Sequence, residues 1–187
     1  TSPHPCIDCK KRTMQGFCMK ELLVVVDMQK DFIDGSLGTK EAQAIVEPVC
    51  EKIRSFNGDV IYTRDTHGEN YLDTLEGKNL PVKHCIKDTE GWQIQKDIYE
   101  AGSGKTLCVI DKPVFGSVEL TEIAFIGRYE KVTLIGLCTD ICVVTNALLL
   151  KTKLKEIPVG NEFPRLETPV TKVLISPYEA KQIYMTQ

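Results

Sequence analysis

No apolar run in this 187-residue chain approaches the ~20 residues that cross a bilayer as a helix; the longest are of the size of Leu22–Val26. Positive charge is not in excess. Twenty-three Lys and Arg stand against 26 Asp and Glu, a net −3, which argues against a general nucleic-acid binder. Residues 1–20 lack the apolar stretch of a secretory leader. Histidine and tryptophan are scarce, with three and one in the whole chain, so two histidines close together stand out. The rest is ordinary. Hydrophobic residues at 42% and charged residues at 26% exclude a disordered chain and suit one domain with a sizeable core, or at most two small ones.

Charge is unevenly spread. Residues 1–20 hold four bases and one acid, and residues 151–187 hold six bases and four acids, which leaves −8 in the centre. The ends therefore differ in kind from the middle. Residues 1–19 have no periodic apolar pattern and read as a disordered lead; Met19 is a candidate natural start. Cys6 and Cys9 form a Cys-x-x-Cys pair with no second pair at zinc-ribbon spacing, a weak metal signal. Of eight cysteines, Cys50, Cys108, Cys138 and Cys142 fall in predicted helices, strands or their edges, where reduced cysteine behaves as a small hydrophobe. A reduced, cytoplasmic setting is expected rather than a disulfide framework.

From Glu21 onward the pattern is regular. ELLVVVD (21–27) is continuously apolar, as a strand buried on both faces should be. Apolar residues at Ala42, Ile45, Val46, Val49, Ile53 and Phe56 predict a helix over 40–56, ended by Asn57-Gly58. DVIYTRD (59–65), TLCVIDK (106–112) and KVTLIGL (131–137) are predicted strands; 92–101, 119–126 and 141–150 are predicted helices. Strands alternating with helices predict a three-layer α/β/α fold with a mostly parallel sheet. Residues 20–187 read as a single domain. Residues 66–95 are polar, rich in glycine and without a period; a loop that long is more often functional than idle.

Sites in open parallel sheets form outside the carboxyl ends of the strands. Asp27 leaves the first strand, Asp65 the second, Lys112 the third, and the fourth runs into Gly136-Leu137-Cys138-Thr139-Asp140-Ile141-Cys142. Cys142 stands at a predicted helix start, with Thr139 or Asp140 as its cap, where a thiol's pKa falls. Lys112 is the candidate cation beside it, and Asp27 the candidate proton carrier. Backbone N–H groups around Cys138 and Cys142 are candidates for an oxyanion hole. Singly, each residue has a plainer reading as a turn, cap or core residue; at three strand ends together they point to nucleophilic catalysis. Asp65-Thr66-His67 also places a carboxylate and an imidazole after a strand, with His84 at the far end of the polar loop. Those donors suit Zn²⁺, or Fe²⁺ or Mn²⁺; the plainer reading is a pair of loop histidines.

These segments resemble the isochorismatase-like cysteine hydrolases, and within them the nicotinamidases. VVVDMQKDF (24–32) resembles the first catalytic segment, DKPVFGS (111–117) the lysine segment and LIGLCTDICVVTNAL (134–148) the nucleophile segment. The likeness runs from about Met19 to Pro158. It implies Asp27, Lys112 and Cys142 as a triad and a cis peptide between Leu137 and Cys138. It implies an oxyanion hole from the backbone of Cys138 and Cys142, and a divalent metal, zinc first, on Asp65, His67 and His84. Some members add a Glu at the place of Glu76. Phe32 matches a pocket aromatic. Isochorismatases proper lack the metal and the cysteine, so the amidase branch is implied. The expected reaction is hydrolysis of nicotinamide to nicotinate and ammonia. The alternatives are another small amide or N-carbamoyl substrate, or an inactive binding member of the fold. Two departures stand out. Pro81 occupies the place of a common pocket Trp, and residues 160–187 do not resemble the family's ending. An apolar sheet edge and family habit point to a homo-oligomer.

Overall fold

The structure, a computed structural model, describes residues 20–154 and 165–166. Readings that concern the lead, the Cys6–Cys9 pair and most of the atypical ending lie outside those residues. Four strands form where the apolar runs predict them: β1 Glu21–Val26, β2 Asp59–Asp65, β3 Thr106–Lys112 and β4 Lys131–Gly136. A two-residue β5, Arg165–Leu166, pairs with Lys131 and Val132. All pairings are parallel, in the order β3-β2-β1-β4-β5.

The pleat sends alternate residues of β1 to opposite faces. Leu22, Val24 and Val26 join a core with Leu120, Ala124, Ala147 and Leu150. These last belong to helices numbered in chain order as α6 (Val118–Gly127) and α7 (Val144–Leu154). Leu23 and Val25 join a second core with Val49, Cys50 and Ile53 of α3 (Val46–Ser55) and Ile98 of α5 (Lys96–Ala101). The expected three layers follow. All five cysteines among the described residues are reduced. No described helix is long and apolar enough to cross a membrane.

Three elements differ from the sequence reading. The helix expected over 40–56 is broken at Ile45 into α2 (Lys40–Ala44) and α3, because Pro48 has no N–H to give the carbonyl of Ala44. Its position in the first turn of α3 is tolerated for the same reason. The loop 66–95 holds a 3₁₀ turn, Tyr71–Asp73, and α4 (Leu75–Asn79), capped by Thr74 Oγ1 on the N–H of Gly77. The helix expected from Trp92 starts at Lys96, where the side chain of Gln95 accepts from the N–H of Ile98.

The strand order reverses beside β1, with β2 and β3 on one side and β4 on the other. Such a switch point opens a crevice at the strand ends. Backbone conformation sharpens it. Gly136, at the end of β4, has φ +123°, and a Cβ there would stand 2.1 Å from the carbonyl oxygen of Val26. Gly136→Ala is therefore expected to cost more than about 1 kcal/mol, read as a lower urea midpoint.

Candidate active site

The carboxyl ends of β1 to β4 bring Asp27, Asp65, Lys112 and Cys142 together. Asp27 follows β1 with φ +50°, a left-handed conformation uncommon for a residue with a side chain. Its carboxylate is fully buried. Oδ1 accepts from Thr63 Oγ1 at 2.7 Å, and Oδ2 stands 2.6 Å from Lys112 Nζ. Lys112 ends β3, two strands away. Only a side chain of its length spans that gap, roughly twice the ~4.8 Å strand spacing. On the way Nζ passes Asp65 Oδ1 at 3.7 Å and lies 3.6 Å from Cys142 Sγ.

Cys142 lies in a single π-helical turn, Thr139–Val143, that precedes α7. The helix expected from Ile141 thus begins differently. Cys138 is the residue before the turn, no side chain caps it, and Asp140 lies inside it with both carboxylate oxygens buried and without hydrogen-bond partners. Neither Thr139 nor Asp140 serves as the expected cap. The peptide joining Leu137 to Cys138 is cis, as the resemblance implies. Asn146 fastens the turn: Nδ2 donates to the carbonyls of Cys142 and Phe115, and Oδ1 accepts from the N–H of Ser117. Nucleophile turn and lysine loop are thereby tied to each other.

The electrostatics correct one expectation. Burial pushes the Cys142 thiol well above its ordinary value, and the Asp27 charge adds to this; Lys112 opposes but does not prevail. A helix start and a nearby lysine were expected to lower it. Lys112 is already held by Asp27, and in a buried site desolvation outweighs the shared cation. Burial likewise raises Asp27 against the pull of Lys112. Burial lowers Lys112, but the charges of Asp27, Cys142 and Asp65 more than reverse this and hold its proton.

Beside this trio stands a second cluster. Side-chain donors of Asp65, His67, Glu76 and His84 all lie within 4.8 Å of one another. His67 Nε2 approaches Asp65 Oδ2 to 2.9 Å, yet it is buried and has no aligned hydrogen-bond partner. His84 Nδ1 contacts the carbonyl of Val82 at 2.8 Å, which turns Nε2 toward Asp65 at 3.6 Å. Burial would raise Asp65, but contacts from His67 and His84 and the charge of Lys112 hold it well below the ordinary carboxylate range. Burial and the Asp65 charge raise Glu76. Two carboxylates facing two imidazoles, one ring nitrogen unpaired, fit a divalent cation, and the mixed N/O donors suit Zn²⁺, Fe²⁺ or Mn²⁺.

Tyr71 packs against both imidazoles, with ring centroids 4.6 Å from His67 and 4.9 Å from His84. Phe32 lies 5.5 Å from the His84 ring. Trp92, the chain's single tryptophan, donates Nε1–H to Thr66 Oγ1 at 2.8 Å, and the Arg64 guanidinium stacks on it at 3.5 Å. It braces the end of β2. The sequence reading named neither Thr63, Tyr71 nor Asn146 for the site. Their contacts join positions 4 to 36 residues apart, and no local pattern marks them.

An isochorismatase domain, by its family model, matches residues 21–152, and the chain belongs to that family. The nicotinamidase of Saccharomyces cerevisiae is 29% identical over 120 residues, covering 48% of this chain. The match spans about half of that relative, 55% of its length. Among solved structures, the pyrazinamidase of Pyrococcus horikoshii in complex with zinc superposes with a TM-score of 0.64 at 25% identity, covering 89% of this chain and 94% of that one. The N-carbamoylsarcosine amidase of Thermoplasma acidophilum gives 0.63 at 27%, covering 90% and 93%.

Two predictions follow from the geometry. Lys112→Met leaves the buried Asp27 without its cation and should cost about 3–5 kcal/mol. The double variant Asp27→Asn/Lys112→Met should recover most of it, since Asp27 is then uncharged and Asp65 keeps its contacts with His67 and His84. A urea double-mutant cycle measures both; additive losses would contradict the pairing. Burial holds the Cys142 thiol well above its ordinary value, so the protonated form is favoured at neutral pH. Iodoacetamide labelling of Cys142 should therefore climb with pH, with its inflection above that of a free thiol, about pH 8.5. Asp27→Asn removes an anion that raises the thiol and releases Lys112 toward it, so the labelling curve should move to lower pH.

Proposed function

We propose that the chain is a cysteine-dependent amidohydrolase of a small carboxamide, with nicotinamide as substrate and nicotinate and ammonia as products. The observation that carries this is the buried Asp27–Lys112–Cys142 array beside a four-donor metal centre. The resemblance to nicotinamidases selects the substrate.

The resting array holds one anion, Asp27, one cation, Lys112, and a neutral thiol. Moving the thiol proton to Asp27 leaves a thiolate beside the same cation, so the net buried charge does not change. The raised Asp27 pKa suits that acceptance. The thiolate attacks the amide carbonyl carbon, and the backbone N–H groups of Cys138 and Cys142 receive the developing oxyanion. As the tetrahedral centre collapses, the C–N bond breaks and Asp27 gives its proton to the leaving nitrogen, releasing ammonia. A water then attacks the thioester, Asp27 takes its proton, and the C–S bond breaks. The departing thiolate regains that proton, which leaves the acid product and the thiol.

Asp65, His67, Glu76 and His84 would hold a divalent metal, for which zinc is the first choice. When bound, it supplies a Lewis-acid anchor for the ring nitrogen of the substrate. Phe32 and Tyr71 provide aromatic surface beside that anchor.

A second reading rests on Pro81. It is exposed and stands where many nicotinamidases carry a tryptophan wall. A pocket without that wall favours a small non-aromatic amide or an N-carbamoyl compound, in keeping with the likeness to an N-carbamoylsarcosine amidase.

Ammonia release from a panel holding nicotinamide, pyrazinamide and N-carbamoylsarcosine decides between the readings. Nicotinamide turnover should fall on chelation, return with Zn²⁺ or Mn²⁺, and drop to background in Cys142→Ala. Full activity in Cys142→Ala would refute the mechanism, and release from the carbamoyl substrate alone would select the second reading.

A further inference from the structure

Gln29, just before α1 (Lys30–Ile33), and Asp31, within it, make contacts that the proposed chemistry does not use. Gln29 is fully buried, and every polar atom of its amide is engaged. Oε1 accepts from the N–H of Asp65 at 2.7 Å, and Nε2 donates to the carbonyl of Asp65 and to that of Trp92, both at 2.8 Å. One side chain thus grips both backbone groups of the carboxylate residue that faces His67, His84 and Lys112. Two residues on, Asp31 reaches the other arm. Its Oδ2 accepts from the N–H of Cys85 at 2.7 Å, and Oδ1 accepts from Ser36. Cys85 directly follows His84 and has φ +46°, so this bond holds a bent backbone at the point where His84 leaves it. Gly91 closes over the same carboxylate: a Cβ there would stand 2.2 Å from Asp31 Oδ2.

We infer that Gln29 and Asp31 are positioning residues of the metal centre, Gln29 fixing the Asp65 arm and Asp31 the His84 arm. Asp27, Gln29 and Asp31 alternate along one short segment, so the proton carrier and both arms of the metal centre share a single ruler. Outer partners of this kind set metal affinity by aligning ligands that are otherwise free to splay.

The inference rests on the metal reading above, and its test reads the metal without turnover. The Zn²⁺ dissociation constant of the full chain is measured by competition with a chromophoric chelator. Gln29→Met and Asp31→Ala should each weaken binding about 10- to 100-fold. Asp31→Asn keeps an acceptor for the N–H of Cys85 and should restore most of the affinity lost in Asp31→Ala. Gly91→Ala, which touches no ligand, should weaken binding by pushing the Asp31 carboxylate aside. Ile53→Val, in the far core, is the control: it lowers the melting temperature and should leave Zn²⁺ affinity unchanged. Unchanged affinity in both Gln29→Met and Asp31→Ala overturns the inference, as does equal weakening by Ile53→Val. Where Gln29→Met does not fold, Gln29→Glu keeps the shape and the acceptor but loses the donors, and carries the test. Failure of both Gln29 variants to fold assigns a purely structural clamp and overturns it too. A wild-type chain that binds no Zn²⁺ removes the metal centre itself, whatever amidase activity remains.

Discussion

The ion pair between Asp27 and Lys112, 2.6 Å long and closed to solvent, is the constraint on which the rest of the site depends. Neither charge could be buried alone without a cost of several kcal/mol. Their union fixes three things at once. It spans β1 to β3 across β2, it sets the cation beside Cys142 Sγ, and it commits most of that cation's field to Asp27. Burial raises the Cys142 thiol first, and the third consequence is why Lys112 does not bring it back down. A lysine shared between a carboxylate and a sulfur favours the group that is already charged.

Asp65 links this pair to the metal cluster. Its two oxygens face different partners, Oδ1 toward Lys112 and Oδ2 toward His67 and His84. Register explains the placement: Asp65 is paired with Lys112 across β2 and β3, so both side chains leave the sheet at the same level. The site is therefore less a set of loops than the consequence of four parallel strands ending together. The loop 66–95 adds His67, Glu76 and His84 to that edge. Two parallel contacts, the N–H of His67 to the carbonyl of Cys85 and the N–H of Lys87 to the carbonyl of His67, draw its ends together.

Much of this was legible in the sequence because strand ends are legible. The runs at 21–27, 59–65, 106–112 and 131–137 announce strands by apolar character, and a parallel sheet sends its chemistry to their carboxyl ends. Asp27, Asp65, Lys112 and Cys142 follow from that reading, and the Asp65, His67 and His84 donors from spacing. Pairing was not legible. The periodicity of 40–56 overrode Pro48, although the missing N–H was there to be counted. The Thr63 contact, the bonds of Asn146 to Phe115 and Ser117 and the clamps by Gln29 and Asp31 arise only when distant segments meet. The direction of the thiol's shift failed for a related reason. Helix start and nearby lysine are local facts, whereas desolvation and competition for the lysine belong to the assembled core.

Charge conservation ties the resting state to the reaction proposed for it. A preformed thiolate would place a third anion near Asp27 and Asp65 with one lysine to serve them all. Keeping the proton on sulfur avoids that, and a neutral amide does not disturb the balance when it enters. In the proposed reaction the negative charge would pass between Asp27, sulfur and the oxyanion without the buried total rising. Hydrolysis of a neutral amide gives an acid whose carboxylate is a new anion at neutral pH. In a crevice already lined by Asp27, Asp65 and Glu76, that new charge would be repelled by three carboxylates and drawn by Lys112 and by a metal held on the four-donor cluster. In the proposed cycle the field that keeps the Cys142 thiol protonated at rest would thereby favour departure of the product as well.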